Sequence, residues 1–298
     1  MISILIPSYN YNTLPLVKEL HSQAILENIE FEIIVQDDAS SVNEITQKNT
    51  EINQLMYSRF ERNETTLGRG QNRNSLVTKA QYPWLIFLDC DTFPQHKNYI
   101  KNYLDAIKIG SLQAAYGGII YHKQNPNPGE MLRWIYGKKR EEIPLKKRIG
   151  HPYKYSLMSN FLIRKEIIQK FPFDDKLFQY GYEDIVLIQV LLRNAIPILQ
   201  IENAVYHLQL EESSIFLEKT KHSLANLKLL TDHKVFADDN TSLVKTYQLI
   251  SKMGLRNLAT YAFKKSESLL TKNLLSESPS LLLFQLYKLG YFCQINSR

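Results

Sequence analysis

The run Trp84-Leu85-Ile86-Phe87-Leu88, closed abruptly by Asp89-Cys90-Asp91, is the most informative stretch of this 298-residue chain. Five successive apolar residues without alternation describe a strand buried on both faces, as in parallel sheets covered by helices on either side. Open α/β sheets collect their ligands at the carboxyl ends of the strands. Two carboxylates one residue apart at such an end suit an oxygen-preferring cation, Mg2+ or Mn2+, that bridges phosphate oxygens. Asp-x-Asp alone is also a common turn, and its weight here comes from the strand before it.

The same pattern repeats upstream. Residues 2–6 read as a strand ended by Pro7-Ser8-Tyr9-Asn10, residues 14–26 as a helix, and residues 31–35 as a strand ended by Gln36-Asp37-Asp38-Ala39-Ser40. Residues 71–80 then supply the helix that leads into Trp84. Three converging polar strand ends favour a site for a nucleotide and a metal over three incidental turns. Downstream, residues 122–129 form a Pro/Asn-rich loop and residues 137–150 read as a mobile basic connection over the site. A strand within 155–164, a helix over 185–193 after Gly181-Tyr182-Glu183-Asp184, and strands at 198–201 and ending at His207 follow. From residue 211 onward the apolar residues keep helical spacing.

A hydrophobic content of 44% with 22% charged residues fits a folded chain and excludes collagen-like, disordered and disulfide-dense classes. The net charge of +6 is unevenly placed. Residues 1–137 and 149–240 are each slightly acidic, whereas 138–148 hold six basic and two acidic groups and 241–298 hold eight and two. A nucleic-acid face across the molecule is therefore not expected. Cys90 and Cys293 lack metal-type spacing, which fits a reducing cytosol. The amino terminus has no basic region ahead of a long apolar run, so a cytoplasmic protein without a signal peptide is expected. No apolar stretch reaches the ~18–20 residues of a spanning helix.

Taken in order, Ile2-Ser3-Ile4-Leu5-Ile6-Pro7-Ser8-Tyr9-Asn10, Glu32-Ile33-Ile34-Val35-Gln36-Asp37-Asp38-Ala39-Ser40, Arg73-Asn74 and Phe87-Leu88-Asp89-Cys90-Asp91 resemble the family 2 glycosyltransferases of the GT-A fold. Tyr180-Gly181-Tyr182-Glu183-Asp184, followed by Val205-Tyr206-His207, is similar to the carboxyl-terminal part of β-1,4-galactosyltransferases and chondroitin-polymerase-type domains. The resemblance covers residues 1–210. It implies an α/β, Rossmann-like catalytic domain there, with residues 211–298 as a helical extension.

Residue by residue, the resemblance places Pro7, Tyr9, Asp38 and Arg73 at the nucleotide, with Asp38 accepting a hydrogen bond from uracil. Asp89 and Cys90 fall on the donor side and Asn160 on the donor sugar. Asp91 and His207 become ligands of Mn2+ or Mg2+, with Asp89 at the ribose or on the sugar side of the metal. Asp184 is the expected catalytic base, because inversion needs a carboxylate to take the acceptor hydroxyl's proton. Glu183 is placed at the acceptor hydroxyls. A helix dipole also favours acidic residues in a first turn without any function.

The basic cluster Lys138, Lys139, Arg140, Lys146, Lys147 and Arg148 is either a clamp for diphosphate or acidic glycan, or a solvated loop; Trp134 and Tyr136 either stack on an acceptor ring or pack locally. The family's usual Gly after the second Asp is Ala39 here. The Gln-x-x-Arg-Trp element of processive synthases is missing, so a single transfer per acceptor is expected. The leading expectation is an inverting, metal-dependent transferase that moves sugar from a nucleotide sugar, UDP-linked, to a glycan or glycolipid acceptor of the bacterial cell surface. A sugar-nucleotide nucleotidyltransferase and a catalytically silent sugar-binding module are the alternatives. The basic, amphipathic tail predicts peripheral attachment to the inner face of the cell membrane, or else packs as ordinary helices.

Overall fold

The structure, a computed structural model, describes residues 1–174, 181–233 and 241–297. These group into two compact units, one from 1–122, 141–174 and 183–209, the other from 123–140, 181–182, 210–233 and 241–297. Tyr180 lies outside the described residues. The first unit opens with β1 (Ile2–Ser8), α1 (Leu14–Leu26), β2 (Phe31–Asp37), α2 (Asn43–Thr50), β3 (Ser58–Arg62) and α3 (Arg69–Lys79). It continues through β4 (Trp84–Leu88), β5 (Thr92–Pro94), α4 (Tyr99–Ile107), β6 (Ala114–Tyr116) and β7 (Ile119–Ile120). After α5 (Met131–Arg140), which groups with the second unit, come α6 (Leu145–Gly150), α7 (Pro152–Tyr155), β8 (Asn160–Arg164), α8 (Lys165–Lys170), α9 (Glu183–Arg193), β9 (Ile198–Gln200) and β10 (Val205–His207). The second unit is completed by α10 (Ser213–Asp232), α11 (Ser242–Lys252), α12 (Arg256–Leu274) and α13 (Leu281–Ile295).

Seven strands form the main sheet in the order β3-β2-β1-β4-β8-β6-β9. The pairs among β1 to β4 are parallel, and β8 runs antiparallel to both β4 and β6. Side chains alternate across a strand, so Ile2, Ile4 and Ile6 join Ile33, Val35, Ile86 and Leu88 in one core beneath Leu16, Val17 and Leu20 of α1 and Tyr99 and Tyr103 of α4. Leu5, Ile34, Leu85 and Phe87 point the other way, against Leu76 and Val77 of α3 and Leu187, Ile188 and Leu191 of α9. Each such fully buried aliphatic side chain is worth about 1.5–3 kcal/mol of transfer free energy. This two-sided cover is why the Trp84 run carries no polar residue.

The chain leaves β1 to build β2 and β3 on one side and returns to lay β4 on the other. The crevice beyond the carboxyl ends of β1 and β4 is therefore a topological switch point, the place where open sheets hold ligands. A three-stranded sheet, β5-β10-β7, borders it and pairs His207 with Thr92.

Two expectations change. β1 and β2 run on to Ser8 and Asp37, because their parallel pairing continues to Ser8 opposite Asp37. The basic stretch 138–148 is not an open loop, since α5 and α6 occupy most of it. Arg148 is buried and donates to the carbonyls of Ile143 (3.0 Å), Tyr116 (3.2 Å) and Ile201 (3.0 Å) and to Gln200 Oε1 (3.1 Å). A guanidinium so committed closes backbone acceptors at the end of β6 and β9, which is a scaffold role and not that of a substrate clamp. It lies against Gly118, whose φ of +99° and proximity to the guanidinium leave no room for a side chain. Lys146 and Lys147 remain exposed.

The second unit has its own core of Leu132, Leu217, Phe263, Leu274, Phe284 and Tyr287. Gly290 lets the Phe263 ring rest directly on the α13 backbone. Tyr136 packs with Phe216 and Phe284 at ring separations of 5.4 and 5.8 Å. Among the described residues no helix is long and apolar enough to cross a membrane.

Candidate active site

The helix α3 carries Arg73 inward, one turn after Arg69, and buries it to 1% exposure. Its Nη2 donates to Asp89 Oδ1 at 2.8 Å and its Nη1 to Asp184 Oδ1 at 2.8 Å. Glu183 Oε1 stands 3.9 Å from Nη1 and 3.9 Å from Arg69 Nη1. The Phe173 ring lies beneath the guanidinium, with Cζ 5.5 Å from its centroid. Four of the expected site residues, Arg73, Asp89, Glu183 and Asp184, thus meet in one cluster. The end of β4 supplies Asp89, and the first turn of α9 supplies the other two carboxylates.

The two aspartates on this buried guanidinium do not titrate alike. Burial is the largest influence on Asp184 and lifts its pKa from 3.8 to about 6; Arg73 works against that rise, while Glu183 and Asp89 add to it. Its second oxygen accepts from the Met158 N–H at 3.2 Å. Burial opposes ionisation of Asp89 too, but Arg73 and Arg69 outweigh it and hold that carboxyl below its usual range. A carboxylate poised near 6 beside one kept ionised is the division of labour expected of a general base and a charged partner.

Arg73 was expected at the nucleotide; in the structure its two Nη atoms hold the two aspartates, and its buried Nε has no hydrogen-bond partner among the described residues. Asp91 continues from Asp89 and accepts at its carbonyl from the Leu208 N–H, 2.8 Å away. That bond docks the end of β10 and brings His207 Nε2 to 3.5 Å from Asp91 Oδ2. The Tyr121 ring stacks on the imidazole at 5.4 Å and fixes its plane. Cys90, between the aspartates, has its thiol pushed well up by burial and by both carboxylates, so it stays protonated and unreactive.

Pro7 lies near the end of β1, partly open, and Tyr9 just beyond it is 53% exposed. Asp38 is differently employed. Its carboxylate accepts from the N–H groups of Leu67 (2.7 Å) and Gly68 (2.9 Å) and from Asn63 Nδ2 (2.9 Å), which sets the loop that starts α3. Those bonds shape the route to Arg69 and Arg73, and the two oxygens, with about four acceptor sites between them, are not filled by three donors. Asn160 is committed. It is fully buried, accepts from the hydroxyls of Tyr99 (2.8 Å) and Tyr103 (2.7 Å), and donates to the carbonyls of Gly118 (2.7 Å) and Asn203 (2.8 Å). With both ends of the amide filled, its side chain has nothing left for a donor sugar.

Sequence reasoning missed Arg69, Phe173 and Tyr11. Arg69 could have been found from its position four residues before Arg73, on the same helical face. Tyr11 stands near Asp91 and Cys90, and burial followed by their charges pushes its phenol up to about 12. Nothing local in the sequence marks Phe173.

Among solved structures, the mannosyltransferase PcManGT from Pyrobaculum calidifontis, in complex with GDP-Man and Mn2+, superposes with a TM-score of 0.57 at 11% identity over 99% of this chain and 86% of that one. TarS 1–349 of S. aureus in complex with UDP gives a TM-score of 0.50 at 18% identity, covering 100% of this chain and 91% of that one. Against a longer TarS structure, the chain spans only 39% of that protein's length. Identities this low speak for the fold alone. Comparison with curated protein sequences gives no match. Residues 3–171, which hold six of the seven strands of the main sheet, Arg73 and both aspartates of the β4 end, match the profile of Glycosyl transferase family 2, and the chain belongs to that family of enzymes.

Proposed function

We propose that this glycosyltransferase moves a sugar with inversion from a nucleotide sugar, UDP-linked, to a hydroxyl of a glycan or glycolipid acceptor in cell-surface polysaccharide synthesis. The observation that carries this reading is the Asp184 carboxyl, poised near 6 and gripped by Arg73 beside the end of β4. In the step, the acceptor oxygen bonds to the anomeric carbon and the bond from that carbon to the diphosphate breaks. The bonding pair leaves with the diphosphate, and the hydroxyl proton passes to Asp184. Glu183 lies beside it for the acceptor hydroxyls, and the exposed Tyr9 with the partly open Pro7 offers a surface to the base.

Asp91 and His207 offer one oxygen and one nitrogen donor at a single point. Among the described residues no group of three such ligands is assembled, because Asp89 turns to Arg73. A two-donor set fits a cation whose other positions are filled by substrate phosphates, and the imidazole suits Mn2+ better than Mg2+. Such an ion, when bound, supplies charge neutralisation for the leaving diphosphate. PcManGT, in complex with GDP-Man and Mn2+, lends the metal support by analogy.

A panel of UDP-, GDP- and dTDP-sugars, with release of nucleoside diphosphate followed with and without Mn2+, tests the reading. Metal-dependent release from one UDP-sugar is expected. Release confined to GDP- or dTDP-sugars overturns the choice of nucleotide, and release indifferent to metal overturns the metal.

For the second unit, peripheral attachment to an anionic inner leaflet is the favoured reading. Leu258, Tyr261 and Leu269 are each more than 60% exposed on α12, and the exposed Lys264, Lys265 and Lys272 share that helix. Co-sedimentation with phosphatidylglycerol vesicles, weakened in Leu258→Gln/Leu269→Gln, is expected; equal sedimentation of both proteins removes the idea.

A further inference from the structure

The second unit contains a cavity of about 480 Å3 walled by α5, α11 and α13, apart from any residue discussed so far as catalytic. Two of its lining side chains are cations, Arg140 and Lys288; Ser242, Thr246 and Gln285 add uncharged polar groups, and Tyr136 adds an aromatic wall. Among the described residues no carboxylate lines it. Ser242 and Leu243 bring the first turn of α11, whose N-cap Thr241 accepts from the Val244 N–H. Among the described lining residues every charge is therefore positive, and the N-terminal end of α11 has the same sign.

Lys288 is held in place by its surroundings. Its ammonium stands 4.9 Å from the Phe284 ring centroid and 5.8 Å from that of Tyr136, an aromatic seat that favours a cation. Burial first, and then the neighbouring Arg140, still lower its pKa from 10.5 to about 8. Two cations placed together, with no carboxylate among the described lining residues, repel each other, and the partly buried Lys288 feels this more than the exposed Arg140. The arrangement is compensated when an anion enters, because arginine offers a planar fork to phosphate oxygens and lysine a point charge.

We infer that the cavity lined by Arg140, Lys288, Ser242 and Thr246 is a binding site for a phosphate ester, with its sugar or polyol lying against Tyr136. The phosphate belongs either to a soluble phosphorylated glycan or to a lipid headgroup, and the chemistry of recognition is the same. This site is independent of the donor reading, because none of its residues belongs to the Arg73 cluster.

The test uses the full chain at constant ionic strength. Inorganic phosphate and glycerol 1-phosphate are titrated while 31P line broadening is followed, with glucuronate as the carboxylate control. Saturable broadening is expected, with affinity falling at least tenfold in Lys288→Gln and in Arg140→Gln and preserved in Lys288→Arg. Unchanged affinity in both neutral variants overturns the site, and tighter binding of glucuronate than of phosphate overturns the ligand class. Phosphatidylglycerol vesicles form the second arm. With saturable glycerol 1-phosphate binding in hand, loss of vesicle binding in the two neutral variants assigns the phosphate to a lipid headgroup, and vesicle binding unchanged in both assigns it to a soluble phosphorylated glycan.

Should the variants fail to fold, amine acylation of the unaltered protein read by mass spectrometry answers the same question. Lys288 is expected to label ahead of the surface lysines and to be slowed severalfold by phosphate; labelling indifferent to phosphate overturns the proposal.

Discussion

One guanidinium, Arg73, binds Asp184 and Asp89 at 2.8 Å each, and so ties the first turn of α9 to the end of β4. These two aspartates come from segments with no sequence relation, and the arginine that joins them comes from a third. The pairing is buried on the arginine side and partly open on the carboxylate side. It therefore holds Asp184 in place without closing it to a substrate, and leaves its proton affinity to be decided by burial and charge.

Replacing Asp184 with Asn keeps the shape and removes the base. General-base catalysis contributes about 10²–10⁴-fold, so kcat is expected to fall by that factor with little change in the affinity for donor. Steady-state kinetics alongside donor binding by calorimetry checks both halves. A variant with full turnover would remove Asp184 from the reaction.

The acid limb of activity follows from the same residue. The base acts when ionised, so kcat/KM is expected to rise with pH through a midpoint at about 6, the value to which burial lifts Asp184 in the free enzyme. Arg73 favours the ionised form, so in Arg73→Gln the limb moves to higher pH. Stability runs in the opposite sense for this group. Its native pKa lies above the ordinary 3.8, so its contribution is complete below 3.8 and fades as pH rises through about 6. A rate profile from pH 4.5 to 8 for both proteins measures the limb, and an unmoved midpoint in Arg73→Gln would break the link.

Much of the fold was legible because the buried strands are written as unbroken apolar runs, Trp84–Leu88 above all, and the turns after them as polar clusters. β3 was not legible. Ser58-Arg59-Phe60-Glu61-Arg62 buries only Phe60 at the sheet edge, and its charges are held by partners distant in sequence, Arg59 by Glu32 and Arg62 by Asp37. The site was legible as a set of residue types at strand ends, which is how Asp89, Asp184 and His207 were picked out. What each side chain does was less visible, because the partners are distant. Asn160 meets Tyr99, Tyr103 and Asn203, and Arg148 meets Gln200, only after the sheet has formed.

Ala39 shows a local rule broken. It stands where relatives place glycine, and its φ of +60° lies in the left-handed region that costs a side-chain-bearing residue about 1–2 kcal/mol. Part of that is offset by the extra freedom glycine gives the unfolded chain. Ala39→Gly is therefore expected to stabilise the protein by about 1 kcal/mol, read as a higher urea midpoint at unchanged slope. A lower midpoint would mean that the methyl group makes contacts worth more than the strain.

Asn160 separates scaffold from site most sharply. Its amide bridges α4 through Tyr99 and Tyr103 and the chain beyond β6 through Gly118. Neighbouring Gly117 leaves no space for repacking, since a Cβ there would meet the Asn203 carbonyl, Asn160 Nδ2 and the Tyr103 hydroxyl. Asn160→Ala strands buried hydroxyls and carbonyls at about 1–3 kcal/mol for each group left unpaired. The expected loss is at least about 3 kcal/mol of unfolding free energy, with donor KM unchanged for the folded fraction. Urea unfolding and donor KM, measured on the same preparation, separate the two roles: a raised KM at unchanged stability would return Asn160 to the donor sugar.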